Sequence, residues 1–258
     1  MAEVTIRECT SIEELNQCVL LQRDVFGLPD LEISPRRHLI VSRQAGGWTL
    51  GAFAEGHLVG FVHHLTGVRN GNEVFGYSHM MAVDRAYQNK GVGARLKWSQ
   101  RARALEEGRD FIKWTWDPMQ ARNAHFNLNR LGVFVSSYGM NFYGTDYPSP
   151  ILNNEPVPGI DSDRLFAGWH IRSTRVERLG RGESVPIGTT PEARVKIPSE
   201  WTQLLKQDPH RAKQELLRTR EEFQQNFDNG LVCAGFERGD GGSGEPQYLF
   251  YGSDVVRE

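Results

Sequence analysis

A chain of 258 residues with a net charge of −2, 39% hydrophobic and 24% charged residues, has the composition of a folded globular protein, long enough for one enlarged domain or a domain with an appendage. The charge balance argues against nucleic-acid binding, no apolar run reaches the length that spans a bilayer, and the amino-terminal MAEVTIREC lacks the layout of a signal peptide. Cys9, Cys18 and Cys233 are scattered without metal-ligand or disulfide spacing, so no metal and a cytoplasmic location are the expectations.

Val4 to Arg7 reads as a short strand. Thr10-Ser11-Ile12-Glu13-Glu14 then offers Ser/Thr-x-x-Glu in two registers, a capping-box start for a helix with Ile12, Leu15, Val19 and Phe26 on its apolar face. Gly27 ends it. Ser34-Pro35 predicts a second helix running to Gln44, with serine as N-cap and proline at the first helical position. Trp48 to Ala54 and His57 to Thr66 are two strands joined by Glu55-Gly56 in a tight hairpin, and a third strand runs from Phe75 to Val83. The helix after it has a predicted buried stripe of Val92, Leu96, Ala102 and Leu105, with Gly108 as its stop. Phe111 to Trp116 is the next strand. Asp117-Pro118 opens a helix with Ala121, Ala124, Leu128 and Leu131 on one face and Asn123, Asn127 and Arg130 on another.

Val133 to Tyr143 and Arg164 to Arg172 read as strands separated by a proline-rich loop over residues 144–163. Past Ser173 the chain turns polar with scattered glycine and proline, which marks residues 173–193 as a linker. Arg194 to Pro198 reads as a further strand. Asp208-Pro209 then opens a helix with Ala212, Leu216, Thr219, Phe223 and Phe227 on one side, and Leu231 to Glu237 pairs with Gln247 to Tyr251 across a glycine-rich turn. Helix then hairpin echoes residues 34–66, which leaves open a partial second copy of the amino-terminal half.

The chemistry concentrates in residues 78–107, SHMMAVDRAYQNKGVGARLKWSQRARALEE, where an apolar strand runs through a glycine-containing loop into a basic helix. Glycines let backbone N–H groups approach a bulky ligand, and the helix adds the positive end of its dipole. Between Arg85 and Lys113 stand eight Lys/Arg against three Asp/Glu, which suits a polyphosphate. A dinucleotide-binding βαβ unit would need a third glycine where Leu96 stands, so that reading is rejected.

Gln88-Asn89-Lys90-Gly91-Val92-Gly93 fits Gln/Arg-x-x-Gly-x-Gly and resembles the pyrophosphate loop of the GNAT superfamily of N-acyltransferases. The predicted element order through Arg172 is similar to the order of that family as well. The resemblance implies an α/β (α+β) GNAT fold, a mixed, mostly antiparallel central sheet flanked by helices, over residues 1–172, with residues 194–258 as a small α+β extension expected on the acceptor side. It also implies acetyl-coenzyme A, or another acyl-coenzyme A, as co-substrate and a small-molecule or peptide amine as acceptor; a homodimer is compatible with it. Gln88 to Ala94 would hold the pyrophosphate and the backbone of Met81, Ala82 and Val83 the pantetheine, while the amides of Asn123 and Asn127 could hold its arm.

Transfer from a thioester to an amine needs the amine deprotonated and the thiolate stabilised. Strand alternation predicts Tyr77, His79, Met81 and Val83 on one face. The resemblance places a base at the start of this strand, where His79, titrating near neutral pH, or Tyr77 would serve. A structural histidine is the competing reading. His63 and His64 are expected on opposite strand faces, unable to form a metal pair. Where many family members carry an acidic tyrosine, four residues before the closing glycine, this chain has Leu128. Tyr138 or Tyr143 could substitute, and a non-catalytic acyl-coenzyme A sensor or scaffold is the alternative function.

Overall fold

The computed structural model describes residues 3–145, 159–239 and 244–256. The expected proline-rich loop lies largely outside them. The chain divides into two compact units, one ending at Ile112 and the other beginning at Lys113.

The first unit contains β1 (Val4–Glu8), α1 (Ile12–Phe26), α2 (Arg36–Gln44), β2 (Trp48–Ala54), β3 (His57–Arg69), β4 (Glu73–Val83), α3 (Val92–Glu106) and the start of β5 (Phe111–Trp116). Its strands lie in the order β1-β2-β3-β4, each antiparallel to the next. The β2–β3 turn is made by Glu55 and Gly56, both at positive φ (49° and 82°), as a two-residue hairpin requires. One face packs Phe53, Phe61 and Ala82 against Leu15, Cys18, Leu21 and Leu39 of α1 and α2. The other packs Trp48, Leu50, Val59 and Val62 against Val92 and Leu96 of α3.

The capping box at α1 is formed: Glu14 N donates to Ser11 Oγ at 3.1 Å and Ser11 N to Glu14 Oε2 at 3.2 Å. Its buried side is Leu15, Cys18, Leu21 and Gln22, while Ile12 is exposed. At α2 the N-cap is Pro35, not Ser34, and helix starts at Arg36. The cause is Gln22, whose amide holds both backbone groups of Ser34.

The buried row of α3 is Val92, Leu96, Lys97, Gln100 and Ala104, with Ala102 exposed. Counting apolar residues misplaces this stripe because two polar side chains point inward and are hydrogen-bonded there. Lys97 Nζ donates to Ser78 Oγ (3.1 Å) and Gln100 Oε1 (2.7 Å), and both nitrogens of His64 are engaged, by Gln100 (3.1 Å) and Arg109 (2.6 Å). Burial drives the Lys97 pKa well below its usual value. Two of the eight basic residues after β4, Lys97 and Arg109, therefore belong to the core rather than to a phosphate site.

The second unit continues β5 into α4 (Ala121–Ala124), which passes into a π-helical turn over His125–Arg130, then β6 (Phe134–Gly139), β7 (Arg164–His170), α5 (Thr174–Gly180), β8 (Ala193–Lys196), α6 (Trp201–Gln207), α7 (Pro209–Asp228), β9 (Leu231–Glu237) and β10 (Gln247–Gly252). Strand order is β7-β6-β9-β10-β8. Asp208 caps α7 by accepting from Arg211 N at 3.0 Å, and Ala212, Leu216, Thr219 and Phe223 are its buried row. The Phe223 ring meets Tyr248 and Phe250 edge-on at 5.0 and 5.1 Å.

Residues beyond 193 thus share one sheet with β6 and β7, through Val135 opposite Cys233. The expected linker contains α5. As α2 is followed by the antiparallel pair β2–β3, α7 is followed by the antiparallel pair β9–β10, while β8 pairs with β10, the second strand of its hairpin, and β1 with β2, the first of its own. Together the units show a mixed α/β architecture of mostly antiparallel strands flanked by helices.

Candidate active site

The turn between β4 and α3 is held from both ends. Asp84 Oδ1 accepts from Ala86 N at 2.7 Å, and Gln88 Nε2 donates to Val83 O at 3.0 Å. Asn89 and Gly91 adopt positive φ (60° and 81°), which turns the chain so that α3 begins at Val92. No side chain caps α3 and no acid stands in its first turn, a state it shares with α2, α4 and α6, whereas α1, α5 and α7 are capped by side chains. Its first N–H groups therefore have no side-chain cap, at the positive end of a 15-residue helix.

Gly93 is the second residue of α3. A Cβ there would lie 3.6 Å from Met81 Cε and 3.9 Å from Val83 Cγ2, ordinary contacts, and its φ is not left-handed. Neither packing nor backbone requires glycine at this position. Lys90 stands beside the turn, its Nζ 5.6 Å from the Tyr87 ring centre.

β4 carries a bulge. His63 pairs with Met80 and His64 with Ser78, so His79 is the extra residue and the alternation inverts across it. Met81 and Val83 pack on the α3 side and Met80 on the α1 side. His79 lies beside Ser34 and α2, its Nε2 3.3 Å from Ser34 Oγ and its ring 5.5 Å from His38. The expectation that Tyr77, His79, Met81 and Val83 share one face is therefore corrected. His79 looks away from the face on which α3 begins. The His79 ring reaches solvent but is crowded enough that desolvation, with a smaller contribution from His38, lowers its pKa below 6.5.

His63 and His64 do face opposite ways, His63 toward α2 and His64 toward α3. Ser42 Oγ donates to Leu39 O and so accepts from His63 Nε2 (3.1 Å), while Thr49 Oγ1 donates to Nδ1 at 2.8 Å. This neutral tautomer is locked, and desolvation lowers its pKa to about 3. His64, stacked on Trp48 at 4.0 Å, is lowered to about 2 by burial and then by Arg109. Both are structural histidines. Among the described residues, no group of three or more His, Cys, Asp or Glu could hold a metal ion.

Asn123, Asn127, Tyr138 and Tyr143 belong to the second unit. Asn123 is exposed and Asn127 buried, because the π-helical turn that starts at His125 breaks the i, i+4 relation that would have aligned them. Leu128 is fully buried. Tyr138 donates to the buried Asp163 at 2.7 Å, and burial with that carboxylate raises its pKa far out of range for an acid. Tyr143 is exposed, its hydroxyl 3.5 Å from Thr115 Oγ1 and its ring 4.9 Å from the Arg164 guanidinium. Tyr77 is half-buried opposite Leu65. The bulge and the Gln22–Ser34 clamp escaped the sequence reading, since neither has a residue-type signature.

Residues 14–132 match the family model described as "Acetyltransferase (GNAT) family". The chain is similar in structure to the ribosomal-protein-S18-alanine N-acetyltransferase of Escherichia coli, at 14% identity and a TM-score of 0.51 over 67% of this chain and 96% of that one. It is similar to an N-acetyltransferase of Staphylococcus aureus Mu50, at 12% identity and a TM-score of 0.52 over 66% and 100%. An acetyltransferase of the GNAT family from Streptococcus pneumoniae gives 19% identity and a TM-score of 0.50 over 64% and 98%. No curated protein matches the chain in sequence. Identities this low establish the fold, and the family model adds that residues 14–132 carry a region similar to the GNAT acetyltransferases, a family of acyl-transfer enzymes.

Proposed function

We propose that this chain transfers an acetyl group from acetyl-coenzyme A to an amine by direct attack, without a covalent enzyme intermediate. The observation that carries this is the uncapped start of α3 behind Gly93, a glycine that the protein's own packing does not require. In this reading Gln88 to Ala94 bind the pyrophosphate through backbone N–H groups with Lys90 as a flanking charge. The backbone of Met81, Ala82 and Val83 pairs with the pantetheine. The co-substrate supplies an acyl carbon already activated as a thioester. His79 takes the proton from the acceptor ammonium, the amine nitrogen bonds to the carbonyl carbon, and the carbon–sulfur bond breaks. The thiolate takes its proton from water, because Leu128 has none to give. A protein amino terminus is one acceptor to test, since the Escherichia coli relative is by name an alanine N-acetyltransferase of a ribosomal protein.

Release of free thiol from acetyl-coenzyme A in the presence of a panel of small amines and peptides tests the reading. Acceptor-dependent thiol release is the expected result. The buried Leu128 favours a second reading, a non-catalytic sensor; acetyl-coenzyme A binding with no thiol released by any acceptor would favour it over the first.

A further inference from the structure

Gln22 of α1 is buried, and its amide spans the backbone of Ser34: Ser34 N donates to Gln22 Oε1 at 3.0 Å and Gln22 Nε2 donates to Ser34 O at 3.2 Å. This two-point clamp stands the Ser34 hydroxyl 3.3 Å from His79 Nε2, at the bulge of β4. A neutral imidazole donates at one nitrogen and accepts at the other. With Nε2 turned to Ser34, the nitrogen left to meet an acceptor is Nδ1. That atom has a free lone pair only when the ring proton sits on Nε2 and is donated to Ser34 Oγ. The bond then survives the chemistry unchanged, because the imidazolium formed when Nδ1 takes the ammonium proton still donates from Nε2. The other titratable rings facing His79 are His38 from α2, at 5.5 Å, and His63 from β3, at 6.0 Å; His63 is locked neutral by Thr49 and Ser42.

We propose that Ser34, clamped by Gln22, is a positioning residue that fixes the Nε2–H tautomer of His79 and so presents Nδ1 as the proton acceptor. The proposal rests on the reading of His79 as the base.

The test is ¹⁵N NMR of the histidine-labelled full chain, with the His79 signals identified by their loss in His79→Ala, read alongside kinetics. Above the His79 titration, the parent and Ser34→Thr should show a protonated Nε2 and an unprotonated Nδ1. Ser34→Ala should relax to a tautomer mixture and lower kcat by roughly 2- to 12-fold, the value of one ordinary hydrogen bond, with KM for acetyl-coenzyme A unchanged. Gln22→Met should reproduce that loss if the clamp is what places the hydroxyl. An unprotonated Nε2 in the parent, or a parental tautomer and kcat in Ser34→Ala, overturns the proposal; a parental tautomer in Gln22→Met overturns the clamp. Full activity in His79→Ala would remove the base assignment while leaving the tautomer result standing, so the two failures are distinct.

Discussion

His79 can act as a base only while its ring is neutral. Desolvation and His38 both hold its pKa below 6.5, so turnover should rise with pH through an ionisation under 6.5 and level off above it. His79→Ala should lower kcat by roughly 10²- to 10⁴-fold with coenzyme A binding intact and the acid limb gone. A parental pH–rate profile in that variant would move the role to Tyr77 or to water. The neighbouring His63 and His64 act on stability instead. Folded, they stay neutral down to about pH 3 and 2; unfolded, each binds a proton near pH 6.5. Between those limits the unfolded chain holds the extra protons. Their contribution is therefore complete above pH 6.5 and is lost as pH falls, by about 1.4 kcal/mol per pH unit for each ring. Urea midpoints measured at pH 7, 6 and 5 should fall steadily, and a flat series would contradict the buried neutral assignment.

At the scale of elements, the strands, the β2–β3 hairpin, the capping box of α1 and the buried row of α7 were legible because each is written in local residue chemistry. Three features were not, and each is a change of phase. The extra residue at His79 inverts β4, the π-helical turn separates Asn123 from Asn127, and inward-facing Lys97 and Gln100 shift the stripe of α3. A polar residue can take a core position when partners from distant strands satisfy it, and the letters around it do not reveal those partners. The same holds for Arg220 of α7, which donates to Asp163 at 2.9 and 2.8 Å and to Asp161 at 2.6 Å. Asp163 has no exposed side-chain surface. Arg220→Ala should cost about 3–5 kcal/mol, since it leaves a buried carboxylate without its counter-charge. A loss below about 1 kcal/mol in urea unfolding would show that Tyr138 and Asn141 hold Asp163 adequately alone.

Across the whole chain, a change of composition at residue 173 suggested a linker and an appendage, but strand pairing is a long-range property that composition does not report. β9 pairs with β6, Asn129 Nδ2 donates to Phe236 O at 3.0 Å, and Tyr248 donates to Pro118 O at 2.7 Å. A chain ending at residue 193 should therefore lose the cooperative fold of its second unit, seen as rapid amide exchange in β6 and β7; protected strands there would show that the later residues are dispensable to it. The central claim, that the start of α3 receives the pyrophosphate of acetyl-coenzyme A, is most directly tested by calorimetric titration of that ligand into the parent and into Gly93→Asp. An aspartate in the first turn favours the helix dipole, and the modest contacts at Gly93 leave the fold room for it. One added negative charge about 4 Å from a phosphate is worth about 4 kcal/mol at the dielectric of a protein surface. A parental melting temperature is expected, with acetyl-coenzyme A affinity lowered by about 10³-fold; parental affinity in Gly93→Asp would show that the pyrophosphate binds elsewhere.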